Sequence, residues 1–272
     1  MSVKAGLALL KAEMGKVWRS PILEITIALM AIMSVTAVTS LNELVVHLEF
    51  SAAFQSMIAE SVSATMILLL LPLVVMCAVL MSLSFARDYE QGLMQSVLSL
   101  PVSRRLFFIT KFFAIVLPLV LISWVLTMFF VGASFYPDML LVVKFSCYIL
   151  PVSFLSLMFC GGLSVLIALV IKRTIPSVLT AMLANIFFWF LTTIYTKNSL
   201  FYANYLCLTP YKGNLVFLDK ILGIDPRVGL DVVNAFEFSL PANIFGVLTI
   251  FYACILVIPM IVYFCRRFEV CE

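Results

Sequence analysis

The sequence predicts an all-α polytopic membrane protein with six transmembrane helices, an N-terminal amphipathic helix lying in the interface, and a short cytoplasmic helix between the second and third spans. Three observations carry this prediction. Hydrophobic residues make up 64% of the 272 residues and charged residues 11%, with 24 Phe, a balance outside soluble globular usage and typical of a multi-span chain. Apolar runs near the roughly 20 residues that a bilayer core requires recur along the chain. Segments rich in Lys and Arg alternate with segments that hold few, the pattern by which a membrane chain records its sidedness. The net charge of +3 says less than where the charges fall, and nothing suggests nucleic-acid binding.

Residues 1–20 form the first unit. Val3, Leu7, Leu10, Met14, Val17 and Trp18 fall on one helical face, and Lys4, Lys11, Glu13, Lys16 and Arg19 on the other, the pattern of a helix lying in the membrane surface. A cleaved signal peptide is not expected, because no small-residue cleavage site follows a short apolar stretch. The six-span domain occupies 21–272. Its first span, 22–41, holds Glu24 in the first turn, where the side chain reaches the headgroups. Residues 42–60 carry Glu43, His47, Glu49 and Glu60 without a Lys or Arg, which marks the outside. The second span, 63–85, and the third, 112–133, contain Pro72 and Pro118, each of which removes a backbone donor and bends its helix.

Tyr136, Pro137 and Asp138 make an outer turn. The fourth span, 141–171, is longer than a perpendicular crossing needs, so tilt or a break is expected, and its Gly161 and Gly162 suit close helix packing. Lys172 and Arg173 close it on the cytoplasmic side, and Pro176 opens the fifth span, 176–195. The outer loop, 197–242, holds apolar pieces divided by Pro210, Gly213, Gly223 and Pro226. They are too short to span, so short helices that dip into the outer leaflet or cap the bundle are expected. The last span, 243–264, includes Pro259 and ends at Arg266 and Arg267. This layout puts both termini inside together with 12 of the 17 basic residues; Lys144, Lys197, Lys212, Lys220 and Arg227 fall outside.

The cytoplasmic loop 86–111 carries Arg87, Asp88, Glu90, Arg104, Arg105 and Lys111. Asp88 and Glu90 stand where acidic side chains favour a helix start, and Leu93, Met94, Val97 and Leu98 then share one face. Pro101 stops that run. Ser103 can cap the next helix, while Arg104, Arg105 and Lys111 hold the third span at the headgroups. Such a helix can rest on lipid or dock a partner, and the residues alone leave both open.

The order Tyr89-Glu90-Gln91-Gly92, then Leu100-Pro101-Val102-Ser103-Arg104, then Lys111, closely resembles the loop between the second and third spans of ABC-2 type transporter permeases. In that family Glu-x-Gly begins a coupling helix that seats in a cleft of a separate ATPase subunit. The resemblance therefore implies a coupling helix whose Asp88, Tyr89, Glu90, Gln91, Gly92, Leu93 and Met94 contact the ATPase, with Pro101, Ser103, Arg104 and Lys111 as further motif positions. It also implies that the N-terminal helix braces that contact. Leu208-Thr209-Pro210 is similar to a Leu-Ser-Pro found after the fifth span. The implied assembly is a homodimer of permease subunits with two ABC ATPase subunits, exporting across a prokaryotic cell membrane. ATP and Mg would be bound by the ATPase and no cofactor by this chain.

The chain itself carries no phosphate-binding Gly-x-x-x-x-Gly-Lys-Ser/Thr, His-Glu-x-x-His or Gly-x-Ser-x-Gly; the single histidine, His47, argues against a multi-histidine metal site, and without a serine elbow a serine–histidine triad is not expected. An enzyme is not expected. The seven cysteines show no Cys-x-x-Cys pairing and read mainly as small apolar span residues. An ion-coupled secondary transporter is a second reading, but it calls for ionisable groups near mid-membrane, and Glu24 is the lone span acid. A non-transporting scaffold or immunity protein is a third. Ser123, Thr127, Asn185, Thr192 and Thr193 are polar enough to line a path, and the sequence does not choose among them.

Overall fold

A computed structural model of the chain describes residues 3–18, 21–45, 53–92, 104–193, 209–224 and 242–267. Among these residues the chain is helical almost throughout and has no strand. The helices are α1 (Val3–Trp18), α2 (Pro21–Val45), α3 (Ala53–Glu90), α4 (Arg104–Ser134), α5 (Met139–Ser146), α6 (Ile149–Ile171), α7 (Thr174–Thr193), α8 (Pro210–Leu222) and α9 (Ala242–Arg267). Five of them, α3, α4, α6, α7 and α9, are long and apolar enough to cross a membrane, and the bent pair of α1 and α2 makes a sixth crossing if it counts as one.

The core is built around α3. Its 38 residues reach about 57 Å at the usual helical rise, well beyond a hydrocarbon core of about 30 Å. Both ends therefore project past the apolar layer. Met66, Leu69, Leu70, Leu73, Val74, Cys77, Ala78 and Met81 are wholly buried along it, where α2, α4, α6 and α7 pack around it. Part of the segment expected as an outer loop is helical: α2 continues through Val45 and α3 has begun by Ala53. Helical hydrogen bonding does not stop where apolarity stops, so the hydropathy boundary fell inside each helix.

The fourth crossing is broken rather than tilted as one rod. After a 3-10 turn at Tyr136–Asp138, α5 ends at Ser146 and α6 starts at Ile149. Pro151 falls in the first turn of α6, where a proline needs no donor and breaks nothing. The two glycines that follow are packing positions. A Cβ on Gly161 would lie 2.9 Å from the Phe112 ring, and one on Gly162 would lie 3.0 Å from Leu256 Cβ in α9. Gly162→Val is therefore expected to lower stability by about 1–3 kcal/mol, the usual result of overfilling a close contact. Gly15→Ala, where a Cβ meets nothing within 4 Å, should leave stability level or raise it through helix propensity. Thermal melts of the detergent-purified variants check both.

Several span hydroxyls are satisfied within their own helices. Ser34 donates to Met30 O at 2.8 Å, Thr127 to Ser123 O at 2.9 Å and Ser164 to Cys160 O at 2.7 Å, as a medium without water requires. Ser123 and Thr127 are buried and so line no exposed face of this chain. Thr192 and Thr193 fall at the end of α7.

Candidate functional site

The helix ends that carry Arg87, Arg105, Lys111, Lys172 and Arg173 meet at one end of the bundle, called here the basic end. The meeting is made by three consecutive residues at the end of α3, Asp88, Tyr89 and Glu90. No breaker interrupts the chain between the apolar run and Glu90, so α3 continues through the motif and stops only where Gly92 takes a left-handed φ of 68°. Gln91 N–H donates to Arg87 O at 2.9 Å and Gly92 N–H to Tyr89 O at 3.1 Å, closing the last turn.

Asp88 and Glu90 thus end a helix, where the sequence had suggested that they begin one. Acids at a helix C-terminus oppose its dipole, and each finds a positive partner on another helix. Asp88 accepts from Lys111 Nζ of α4. Lys111, expected at the headgroups, is instead 1% exposed. Its ammonium also donates to Ser84 O at 2.9 Å and lies 4.9 Å from the Phe85 ring centroid and 5.6 Å from that of Phe107. A lysine can be buried only when its donors are used in this way. Tyr89 places its ring 5.2 Å from Lys172 Nζ at the end of α6. Glu90 reaches α7: its Oε2 accepts from Thr174 N–H at 3.0 Å and from the Thr174 hydroxyl. A carboxylate there meets the unpaired N–H groups and positive dipole end of a helix start.

The N-terminal helix joins the same end. α1 packs along α4 and brings Glu13 and Lys16 within electrostatic reach of Lys111. Glu13, which the helical pattern assigned to the polar face, is 7% exposed and accepts from Lys16 Nζ at 2.7 Å. The observed packing partner is therefore α4. Of the other motif positions, Gln91 is exposed, Gly92 has open space around its Cα, and Arg104 opens α4. Leu93, Met94, Pro101 and Ser103 lie outside the described residues, as does the run expected to form the coupling helix.

A family model described as ABC-2 family transporter protein matches residues 9–192. The chain belongs to that family. No curated protein and no solved structure matches it. The matched segment of this ABC-2 family transporter protein runs from α1 into α7 and takes in every residue of the basic-end junction. Its helices and its family make it a multi-pass membrane component of a transporter. Lys172 and Thr174, which the motif did not point to, are part of the junction. The available signal was the pair Lys172-Arg173 closing a span, but a contact 84 residues away in sequence has no local signature.

A second set of polar contacts joins α8, which lies beyond the matched segment, to helices within it. Tyr211, wholly buried, donates to Asn185 Oδ1 at 2.8 Å, and Asn185 Nδ2 donates to Ser164 Oγ at 3.0 Å. Asn214 Nδ2 donates to Ser156 Oγ at 2.6 Å, and Asp219 accepts from the Ser63 hydroxyl of α3. These bonds hold a helix too short to span against α3, α6 and α7. Burial pushes the Asp219 carboxyl above its ordinary range, and the Ser63 donor only partly opposes this. The folded protein therefore holds that proton to higher pH than the unfolded chain does. The stabilisation is complete below the ordinary carboxylic pKa and is lost as pH rises through the raised value. Melting midpoints in detergent should accordingly fall as pH rises across that window, and Asp219→Asn should flatten the dependence.

Proposed function

We propose that this chain is the membrane-spanning permease subunit of an ATP-driven exporter, coupled through its basic end to a separate ABC ATPase. The observation that supports this most directly is the junction itself. Three successive residues at the end of α3 each grip a different helix: Asp88 grips α4, Tyr89 the end of α6, and Glu90 the start of α7. A push delivered to the segment after Gly92 would pass into three helices through side-chain contacts rather than dissipate in lipid. Asp88 and Tyr89 are half-buried, so the ATPase-facing positions at this end would be the exposed Arg87, Glu90 and Gln91 together with residues 93–103.

In this reading the basic end is cytoplasmic, as are both termini, and the membrane is the prokaryotic cell membrane. Two copies of the chain assemble with two ATPase subunits, which bind the ATP and Mg. The nucleotide site is assigned to the ATPase because no phosphate-binding loop is present in the sequence, and substrate would move between the two copies.

Gln91→Cys, labelled with a membrane-impermeant maleimide in oriented vesicles, tests the sidedness. Affinity purification of the chain with a co-expressed ABC ATPase, followed by vanadate-sensitive hydrolysis assays, tests the partnership. Reaction only from the cytoplasmic face and a complex whose hydrolysis responds to hydrophobic compounds or peptides are expected. Labelling from the outer face, or no bound ATPase, would overturn the proposal.

A further inference from the structure

The turn between α6 and α7 has features that a simple helix stop does not require. Lys172 has φ 61° and ψ 11°, and among the described residues it is the single non-glycine with positive φ. Helices often end in this conformation, but with glycine, because a Cβ crowds the following carbonyl there. A strained residue persists where its surroundings hold it, and such positions gather at functional and switching sites. Here Lys172 N–H donates to Ala168 O at 2.9 Å, and its ammonium stands over the Tyr89 ring. Two residues on, the first N–H of α7 has no acceptor in its own helix and takes Glu90 instead. The end of α3 therefore holds this turn from both sides.

α7 is also the least enclosed of the five candidate spans. Only 17% of its apolar window is buried, against 33–61% for the other four candidate spans, and Ile175, Leu179, Leu183 and Phe187 leave one face open. Its other face packs on α3 and α6, so a shift of its start is passed to those two helices.

We infer that the Lys172-Arg173-Thr174 turn is a relay that receives displacement of the α3 end through Tyr89 and Glu90 and converts it into movement of α7 against α6. This rests on the proposed motor coupling. Two positioning residues follow from it, Lys172 and Thr174, neither of which touches substrate or nucleotide.

Two variants separate a relay from a structural turn. Lys172→Gly suits the left-handed conformation, so a turn that only stops a helix should tolerate or welcome it. Thr174→Pro removes both bonds to Glu90 yet keeps a residue that is favoured at the first position of a helix. Hydrogen exchange is followed by mass spectrometry on the chain with its ATPase in nanodiscs, with and without ATP and vanadate. The wild-type chain should show a nucleotide-dependent change of roughly threefold or more in exchange both at the α3 end, residues 87–92, and at the α7 start, residues 172–180. Both variants should keep the first response and lose the second, with the Lys172→Gly melting midpoint not lowered. Persistence of the α7 response in both variants would overturn the relay. A wild-type response confined to the α3 end would overturn the relay alone, whereas no response at either place would overturn the motor reading and the relay with it.

Discussion

Glu90→Arg is expected to insert and assemble its helices normally and yet lose roughly tenfold or more of its ATP-coupled activity, at the upper end of what single changes along a coupling network produce. The substitution deletes the oxygen that accepts both the N–H and the hydroxyl of Thr174. It also sets a cation beside Arg173 and Lys172 and against the positive end of the α7 dipole. The normal carboxylate is held below its usual range by those same Thr174 bonds and by Arg173, so the wild-type site is charged throughout the neutral range. Glu90→Gln, which keeps an acceptor oxygen but not the charge, should fall between the two. The check is recovery of the co-expressed ATPase together with the stimulation of its hydrolysis by hydrophobic compounds and peptides. Because the Glu90 contacts are internal, stimulation should fall further than recovery. Equal stimulation in Glu90→Arg and wild type would remove Glu90 from the coupling route.

Lys111→Met should produce the largest loss of stability of any single change at the basic end. Lys111 is 1% exposed, and its ammonium is bound by Asp88, by Ser84 O and by two aromatic faces. Removing one member of a buried ion pair typically costs 3–5 kcal/mol, because the other charge is left behind. The Asp88 side chain is 20% exposed and retains some water, which places the expectation at the low end, about 3 kcal/mol. Asp88→Asn combined with Lys111→Met should recover much of that loss, since no orphaned charge remains. Melts of the two single variants and the double variant give the coupling energy. If the double variant is as unstable as the sum of the singles, the pair does not hold α3 to α4.

The membrane class and the clustering of basic residues could be read from the chain itself. Each depends on the composition of one contiguous segment. The packing role of Gly161 and Gly162 was readable for the same reason, since small neighbouring residues on an apolar helix invite close approach. The motif at Tyr89–Gly92 was readable as a motif, but its local structure was not. Acidic residues suggested a helix start at Asp88, whereas the apolar helix before it had no reason to stop until Gly92. The polar face assigned to α1 was likewise partly wrong, because helical periodicity identifies a face and not the neighbour it will meet. Glu13 turned out to be covered by such a neighbour.

What the sequence alone determined is what transfer from water into lipid determines: that the chain is a multi-pass helical membrane protein, and where its basic residues cluster. Those are sums over adjacent residues. Which partners the charged and polar side chains would take was decided only in three dimensions. Lys111 meets Asp88 across 23 residues, Glu90 meets Thr174 across 84, and Asp219 meets Ser63 across 156. A buried charge or a helix end must be satisfied by whatever the packing brings to it, and helix packing depends on side chains distributed over the whole chain.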